Sequence, residues 1–375
     1  MLLLDFSSLF IQAAFSLRKR GLLYSKDHLR STFLSRLFVV CKRFRKYGKL
    51  HIFADSGKYW RVELFAGYKK KRAERRLSDD VDWDKLHSLQ DSIIDEMRAN
   101  LPYAIVSVDA MEADDLIALA CRFYAPKNKR HLIISSDKDL TQLLRSPNIS
   151  QWSAGKRSFL QFDPKAFKAQ LLRGDSSDSV PSIYADEDYL IGSFGRRRLT
   201  DARLKDVDIT SVETFRAYYK DDSEIERITA NYIRNRTLID LRCVPRKFFP
   251  LFHAALKAAR QTAEQSAPNA ESYLAKYNLL SKFKAIDAPK APPSNAQNAN
   301  RVNTDRSLSA DRAKNKRPSP KRFTDRATDK QSSFAQPADR VKPQLSRKTF
   351  PKPNAPKNQP NPRSTTANNR KEYDE

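Results

Sequence analysis

Along the first half of the chain, short apolar runs alternate with longer stretches whose apolar residues recur at helical spacing. Leu2–Leu4 predicts a buried strand that stops at Asp5, and helical spacing follows over Leu9–Leu17 and His28–Phe44. Leu50–Phe53 predicts a second strand, with Asp55 just past its end, and Trp83–Met97 a helix. Ala104–Val108 predicts a third strand, Ala113–Phe123 an amphipathic helix, and His131–Ile134 a fourth strand ending shortly before Asp137. Strands alternating with helices predict an α/β fold over residues 1–162, with a mostly parallel central sheet flanked by helices. Residues 163–288 read as a helical subdomain suited to DNA binding. A turn-rich segment at Gly174–Pro181 precedes helices near Val212–Tyr219, Ile225–Arg234 and Phe248–Ala258.

Composition changes near residue 288. Beyond it Pro, Asn, Ser, Lys and Arg dominate, so residues 289–375 cannot bury enough apolar surface to offset ordering and read as a disordered basic tail. The tail carries 20 basic and 8 acidic residues, a net +12 out of +26 for the chain. That balance fits a polyanionic partner, nucleic acid before membrane. Cys41, Cys121 and Cys243 form no Cys-x-x-Cys pair, so neither a zinc site nor a disulfide framework is expected. No apolar run approaches the length of a membrane span, and Asp5 interrupts the apolar start before it can form a signal peptide. A soluble, monomeric protein of a reducing compartment, the cytoplasm, is expected.

The acidic residues add chemistry. Asp5, Asp55 and Asp137 each fall at or just past the carboxyl end of a predicted strand, the edge where open α/β sheets build their sites. Glu112-Ala113-Asp114-Asp115 opens a helix, Asp137-Lys138-Asp139 follows a strand, and Asp175 and Asp178 lie in the Gly-rich turn. Each group alone also suits helix capping, the helix dipole or ordinary turn chemistry. Converging on one edge, they would raise each other's pKa unless cations intervened, and hard oxygen-binding cations such as magnesium suit that set. Two such ions could activate a water and stabilise the leaving oxygen of a phosphodiester. No histidine joins the set and no Walker lysine loop is present, which disfavours zinc hydrolases and NTP-driven motors.

Between the second strand and Trp83 lies a basic, aromatic stretch, about residues 58–82, here termed the arch. It contains Lys58, Tyr59, Trp60 and Arg61, then Tyr68, Lys69, Lys70, Lys71, Arg72, Arg75 and Arg76. Aromatics interleaved with cations suit base stacking beside phosphate contacts, while a solvated charge run or a localisation signal is the plainer reading.

Taken together, these motifs resemble the flap endonuclease/5′→3′ exonuclease family, most of all its ribonuclease H branch in T-even bacteriophages. The matching stretches run from Leu4-Asp5 through Lys58–Arg61, Tyr68–Lys70, Glu112–Asp115, Ile133–Asp139 and Gln151–Ser153 to Gly174–Asp178, over roughly residues 1–288. The resemblance implies a PIN-like 5′ nuclease fold that removes RNA primers and 5′ flaps during DNA replication. It also implies a two-ion magnesium site, with Mn²⁺ able to substitute, formed by Asp5, Asp55, Glu112, Asp114, Asp115, Asp137, Asp139, Asp175 and Asp178. By that resemblance Asp5, Asp114 and Asp137 lie nearest the first ion, while Asp139, Asp175 and Asp178 hold the second mostly through waters. Arg61 and Lys69 match residues that contact the scissile phosphate. Implied partners are RNA–DNA hybrid, 5′-flap and nicked duplex DNA, a single-strand-binding protein and a sliding clamp, in a host cytoplasm for a phage protein. The chain departs from the family pattern at Ser179–Ser182, where an Asn and a nearby Gly are usual.

Overall fold

The four apolar runs form strands buried along their whole length, as expected of strands covered on both faces. A computed structural model describes residues 1–57, 59–125, 129–185 and 222–286. Its sheet has the order β3-β2-β1-β4-β5-β6. The strands are β1 (Leu2–Asp5), β2 (Leu50–Phe53), β3 (Ala104–Val106), β4 (His131–Ile134), β5 (Ile149–Ser153) and β6 (Ser158–Phe159). All pairings are parallel except β5 with β6. In register, Leu4 faces Ile52 on one side and Ile134 on the other, so the strand ends carrying the acids are level.

The helices are α1 (Phe6–Arg18), α2 (Lys26–Phe44), α3 (Trp60–Leu64), α4 (Lys70–Leu77), α5 (Trp83–Asn100) and α6 (Ala113–Tyr124). They continue as α7 (Pro164–Arg173), α8 (Asp222–Ile239), α9 (Phe248–Ser266), α10 (Ala270–Lys276) and α11 (Leu280–Lys284). Strand residues alternate between two cores. Leu2, Leu4, Ile52 and Ile134 pack with α1, α2, α5 and α10 on one face. Leu3, Phe53, Val106 and Ile133 pack with α6 and α9 on the other. Part of the stretch read as a helical subdomain therefore closes the sheet itself, through Phe248, Phe252 and Leu256 of α9. A third core joins Phe65 and Tyr68 of the arch to Phe167 and Leu171 of α7 and to Ile228 and Tyr232 of α8.

The described residues all belong to one compact unit, Met1–Asn295. Lys58, the expected helix at Val212–Tyr219 and the tail at 289–375 lie outside the described residues. Two features carry no apolar signature in the sequence. Strands β5 and β6 are short and largely polar, and α3 and α4 lie inside the basic arch.

Helix α7 starts under an Asp163 cap, with Pro164 at its first position, and ends at Gly174. There φ is +77°, and a Cβ would meet the Val180 carbonyl oxygen at 2.2 Å. The turn then closes through paired backbone bonds between Asp175 and Val180. Gly174→Ala is expected to cost at least about 2 kcal/mol of unfolding free energy, because a backbone carbonyl cannot give way as a flexible side chain could. Urea denaturation of the variant beside the wild type measures this.

Candidate active site

The predicted acids sit at strand ends, at the start of α6 and in the turn after α7. Asp5 terminates β1 and caps α1, accepting from the Ser8 amide at 3.0 Å and from Ser135 Oγ at 2.7 Å. Asp55, past β2, accepts from Ser7 Oγ and from the Ala113 amide in the first turn of α6. Glu112 and Asp115 form a capping box at the start of α6. Past β4, Asp137 accepts from the Asp139 amide at 2.8 Å. Asp175 folds back on its own turn, accepting from the amides of Ser177 and Asp178. A cavity of about 50 Å³ brings Glu112, Asp114, Asp137, Asp139, Asp175 and Asp178 together. That is room for a few waters or ions. Asp5, Asp55 and Asp115 do not line it. Beside it a larger groove of about 650 Å³ carries Lys138, Lys156, Arg173 and Phe159.

Two electrostatic classes emerge among these acids. Burial works to raise the Glu112 carboxyl, but Lys69 and Arg61 outweigh it and hold it below the usual range. Burial likewise acts on Asp175, where bonds from Ser177 and Gln170 prevail and lower it. Asp5 has no cation against it: burial, then the neighbouring Asp55, pushes it up to about 7. Asp139 is pushed up to about 7 by burial and by Asp137. Asp114 is raised well above the normal carboxylate range by burial, Asp137 and Asp5. Buried acids without a protein cation are what a bound cation would complete, and the donors are all oxygen, which suits magnesium. Among the described residues no three acidic, His or Cys side chains converge closely enough to ligate one ion directly. A cation here would keep part of its water shell, as magnesium readily does.

The arch corrects three expectations. Arg61, read as a contact to the scissile phosphate, is only 2% exposed. Its Nη1 donates to Glu112 and Asp115 at 2.8 Å, its Nη2 to Asp115 at 2.7 Å, and its Nε to the Leu238 carbonyl at 2.8 Å. Trp60, read as a base-stacking residue, is buried and donates its Nε1 to Asp115 at 2.9 Å. Tyr68, read the same way, is buried and donates its hydroxyl to Glu112 at 2.8 Å. Cations beside aromatics made these residues look like a nucleic-acid surface; they are the packing that seats the arch. Both oxygens of Asp115 face Arg61 and Trp60.

Lys69 reaches the cavity from a left-handed backbone position, φ 58°, and its ammonium pairs with Glu112. Arg72 pairs with Asp178 at 2.7 Å. Ser179, where the chain departs from the family pattern, is buried at φ 60° and accepts from the Lys71 amide at 3.0 Å, so it docks the arch on the turn. Lys70 and Arg75 are exposed, while Tyr59, Lys71 and Arg76 are partly so. Ser7, Ser135 and Gln170 also hold the carboxylates, and sequence reading did not single them out as site residues. Ser135 had a signal in its position two residues ahead of Asp137, where capping chemistry is common.

Residues 1–171 match the family described as 5′-3′ exonuclease, N-terminal resolvase-like domain. The ribonuclease H of Enterobacteria phage T4 is 30% identical over 206 residues, covering 53% of this chain and 66% of that protein. The flap endonuclease Xni of Colwellia psychrerythraea is 32% identical over 130 residues, covering 35% of this chain and 42% of that protein. The chain thus spans less than two thirds of the length of these curated relatives. Among solved structures, the T5 5′-exonuclease with divalent metal ions (zinc) bound has a TM-score of 0.53 at 15% identity, covering 70% of this chain and 99% of that one. The bacteriophage T5 flap endonuclease, in a pseudo-enzyme–product complex with DNA and metal ions, has a TM-score of 0.51 at 15% identity, covering 70% and 98%. At that identity the likeness shows the fold: a mostly parallel sheet flanked by helices, as in the 5′ nucleases. Through residues 1–171 the chain is similar to the 5′-3′ exonuclease N-terminal domain.

Two outcomes follow from the electrostatics. Arg61→Met strands two buried carboxylates, so it should destabilise the protein by about 3–5 kcal/mol in urea denaturation; a phosphate contact at the surface would leave stability unchanged. The second outcome concerns pH. Raised folded-state carboxyls contribute stability that is complete below about pH 4 and is lost as pH rises through their folded values, near 7 for Asp5 and Asp139. His51, held down to about 4 by burial, acts oppositely in the same window, so variant and wild type are best compared at each pH. In EDTA, Asp114→Asn should raise the melting temperature more at pH 8 than at pH 5.5, and an equal shift at both would contradict this reading.

Proposed function

We propose that the protein is a magnesium-dependent 5′ nuclease that hydrolyses phosphodiester bonds at the 5′ end of a nucleic-acid strand. The observation that carries this reading is a set of carboxylates that form no ion pair with a protein cation among the described residues, buried Asp5 and half-buried Asp114 and Asp139, at the carboxyl edge of a parallel sheet and beneath a basic arch. Asp5, Asp114 and Asp137 would hold the first ion, and Asp139, Asp175 and Asp178 the second, largely through water. When bound there, magnesium would supply an activated water and charge stabilisation for the leaving oxygen. Glu112 and Asp115, already matched by Lys69 and Arg61, set the height of the arch over the site. Lys69 places its ammonium at the cavity wall, where it can offset charge on a phosphate. The exposed Lys70 and Arg75 and the groove cations Lys138 and Lys156 hold the strand on either side by its phosphates.

The substrates proposed are RNA–DNA hybrid, 5′-flap and nicked duplex DNA, and the role is removal of RNA primers and flaps in replication. Manganese substitutes for magnesium on this reading, and a single-strand-binding protein and a sliding clamp are the proposed partners. Names of the relatives support the substrate class: one is a ribonuclease H, another a flap endonuclease. No described helix is long and apolar enough to cross a membrane. A cytoplasmic place of action belongs to the proposal.

Cleavage of 5′-labelled flap and hybrid substrates, with and without magnesium, tests this reading. Wild-type protein should release short 5′ products only with the metal. Asp114→Asn and Asp137→Asn should fold and lose activity by about 10³-fold, the equivalent of several kcal/mol of metal stabilisation. Asp178→Asn should be milder. Metal-independent cleavage, or wild-type rates in either of the first two variants, would overturn the proposal. Lys69→Ala should lower the single-turnover rate by about 10²-fold with little change in substrate affinity. An effect on affinity alone would make Lys69 a docking contact.

A further inference from the structure

Gln170 stands at the seam of the site. It lies on α7, whose buried face of Phe167, Leu171 and Leu172 is fixed in the third core. Asn235 of α8 pins the end of that helix, donating to the carbonyls of Leu171 and Pro181. From this anchored position the Gln170 amide nitrogen donates to Asp139 Oδ1 at 2.8 Å and to Asp175 Oδ2 at 2.6 Å. One carboxylate belongs to the segment after β4, the other to the turn after α7. A side-chain amide has two hydrogens, and here each meets an acceptor. Gln170 lines both the small acidic cavity and the larger groove beside it.

We propose that Gln170 is the positioning residue of the second cation site. Its two donated hydrogens fix the separation of Asp139 and Asp175, which would otherwise repel. A neutral donor suits that task. Lys69 and Arg72 bring positive charge to Glu112 and Asp178, whereas an amide restrains Asp139 and Asp175 without adding any. Lys138 approaches Asp175 at 3.5 Å, but its side chain is 71% exposed and holds that carboxylate only loosely. The inference rests on the reading of the site as a divalent-cation centre.

The test uses the full chain and magnesium alone, read by thermal unfolding and by cleavage. Gln170→Met keeps the length of the side chain and removes both donors; Gln170→Ala serves where Met perturbs the groove. Either variant should raise the magnesium concentration for half-maximal thermal stabilisation by about 10-fold, the usual effect of losing a group that orients a metal ligand. The magnesium midpoint of cleavage should rise in parallel. A merely structural role would lower the melting temperature with and without metal and leave both midpoints where they were, which would overturn the proposal. The two readings fail separately. Wild-type protein that neither gains stability from magnesium nor cleaves would remove the cation centre and this inference with it. A magnesium-responsive wild type with unmoved midpoints in the variants would remove the inference alone.

Discussion

Buried beneath the arch, the Arg61 guanidinium faces Asp115 through two nitrogens and Glu112 through one, and its remaining nitrogen holds the carbonyl of Leu238. This cation ties the arch, the start of α6 and the end of α8 to a single point. Burying such charges costs several kcal/mol per ion, repaid only when the geometry satisfies each donor. Here all three guanidinium nitrogens have acceptors, and Trp60 and Tyr68 supply further donors to the same two carboxylates. The arrangement is expensive to break and therefore specific: the arch has one well-satisfied seat.

The same contact divides the acids of the site. Glu112 and Asp115 lie under protein cations, and Asp178 is shared with Arg72 and Tyr68. Asp5, Asp114 and Asp139 form no ion pair with a protein cation among the described residues, and burial and neighbouring carboxylates raise all three. A segment that neutralises part of a carboxylate cluster and leaves the remainder to cations from solution makes the cluster tolerable to the fold and still attractive to metal. The strain is confined to the edge where the strands end level, while the apolar layers behind that edge carry the stability of the unit.

Much of this was legible in the sequence, for physical reasons that differ by element. Strands β1 to β4 are fully buried, so their apolar runs stand out, and the acids after them mark the open edge of a parallel sheet. Strand β5 was not legible, because Ile149–Ser153 mixes polar residues into a strand near the sheet edge. The arch misled in one respect. A cation flanked by aromatics has the same composition whether it faces a nucleic acid or a buried carboxylate, and only the three-dimensional pairing of Arg61 with Asp115, 54 positions apart, separates the two. Gln170 left no trace, since a lone glutamine between Ala166, Phe167 and Arg173 on its helix has no distinguishing pattern. Ser179 was visible as a departure, but its bond to the Lys71 amide, which gives the departure a use, spans 108 residues.

The order of the sheet has a consequence for how the chain is made. Strand β1 is central, yet its partners come late: Leu2 pairs with Leu50 on one side and with Leu132, 130 residues downstream, on the other. At the usual pace of synthesis that interval lasts roughly 6–26 s, during which one edge of β1 has no strand to meet. Ser135, which donates to Asp5, is the residue immediately after β4. Strand β1 is thus enclosed on both edges only when the fourth strand has been built, and Asp5 acquires Ser135 at the same moment.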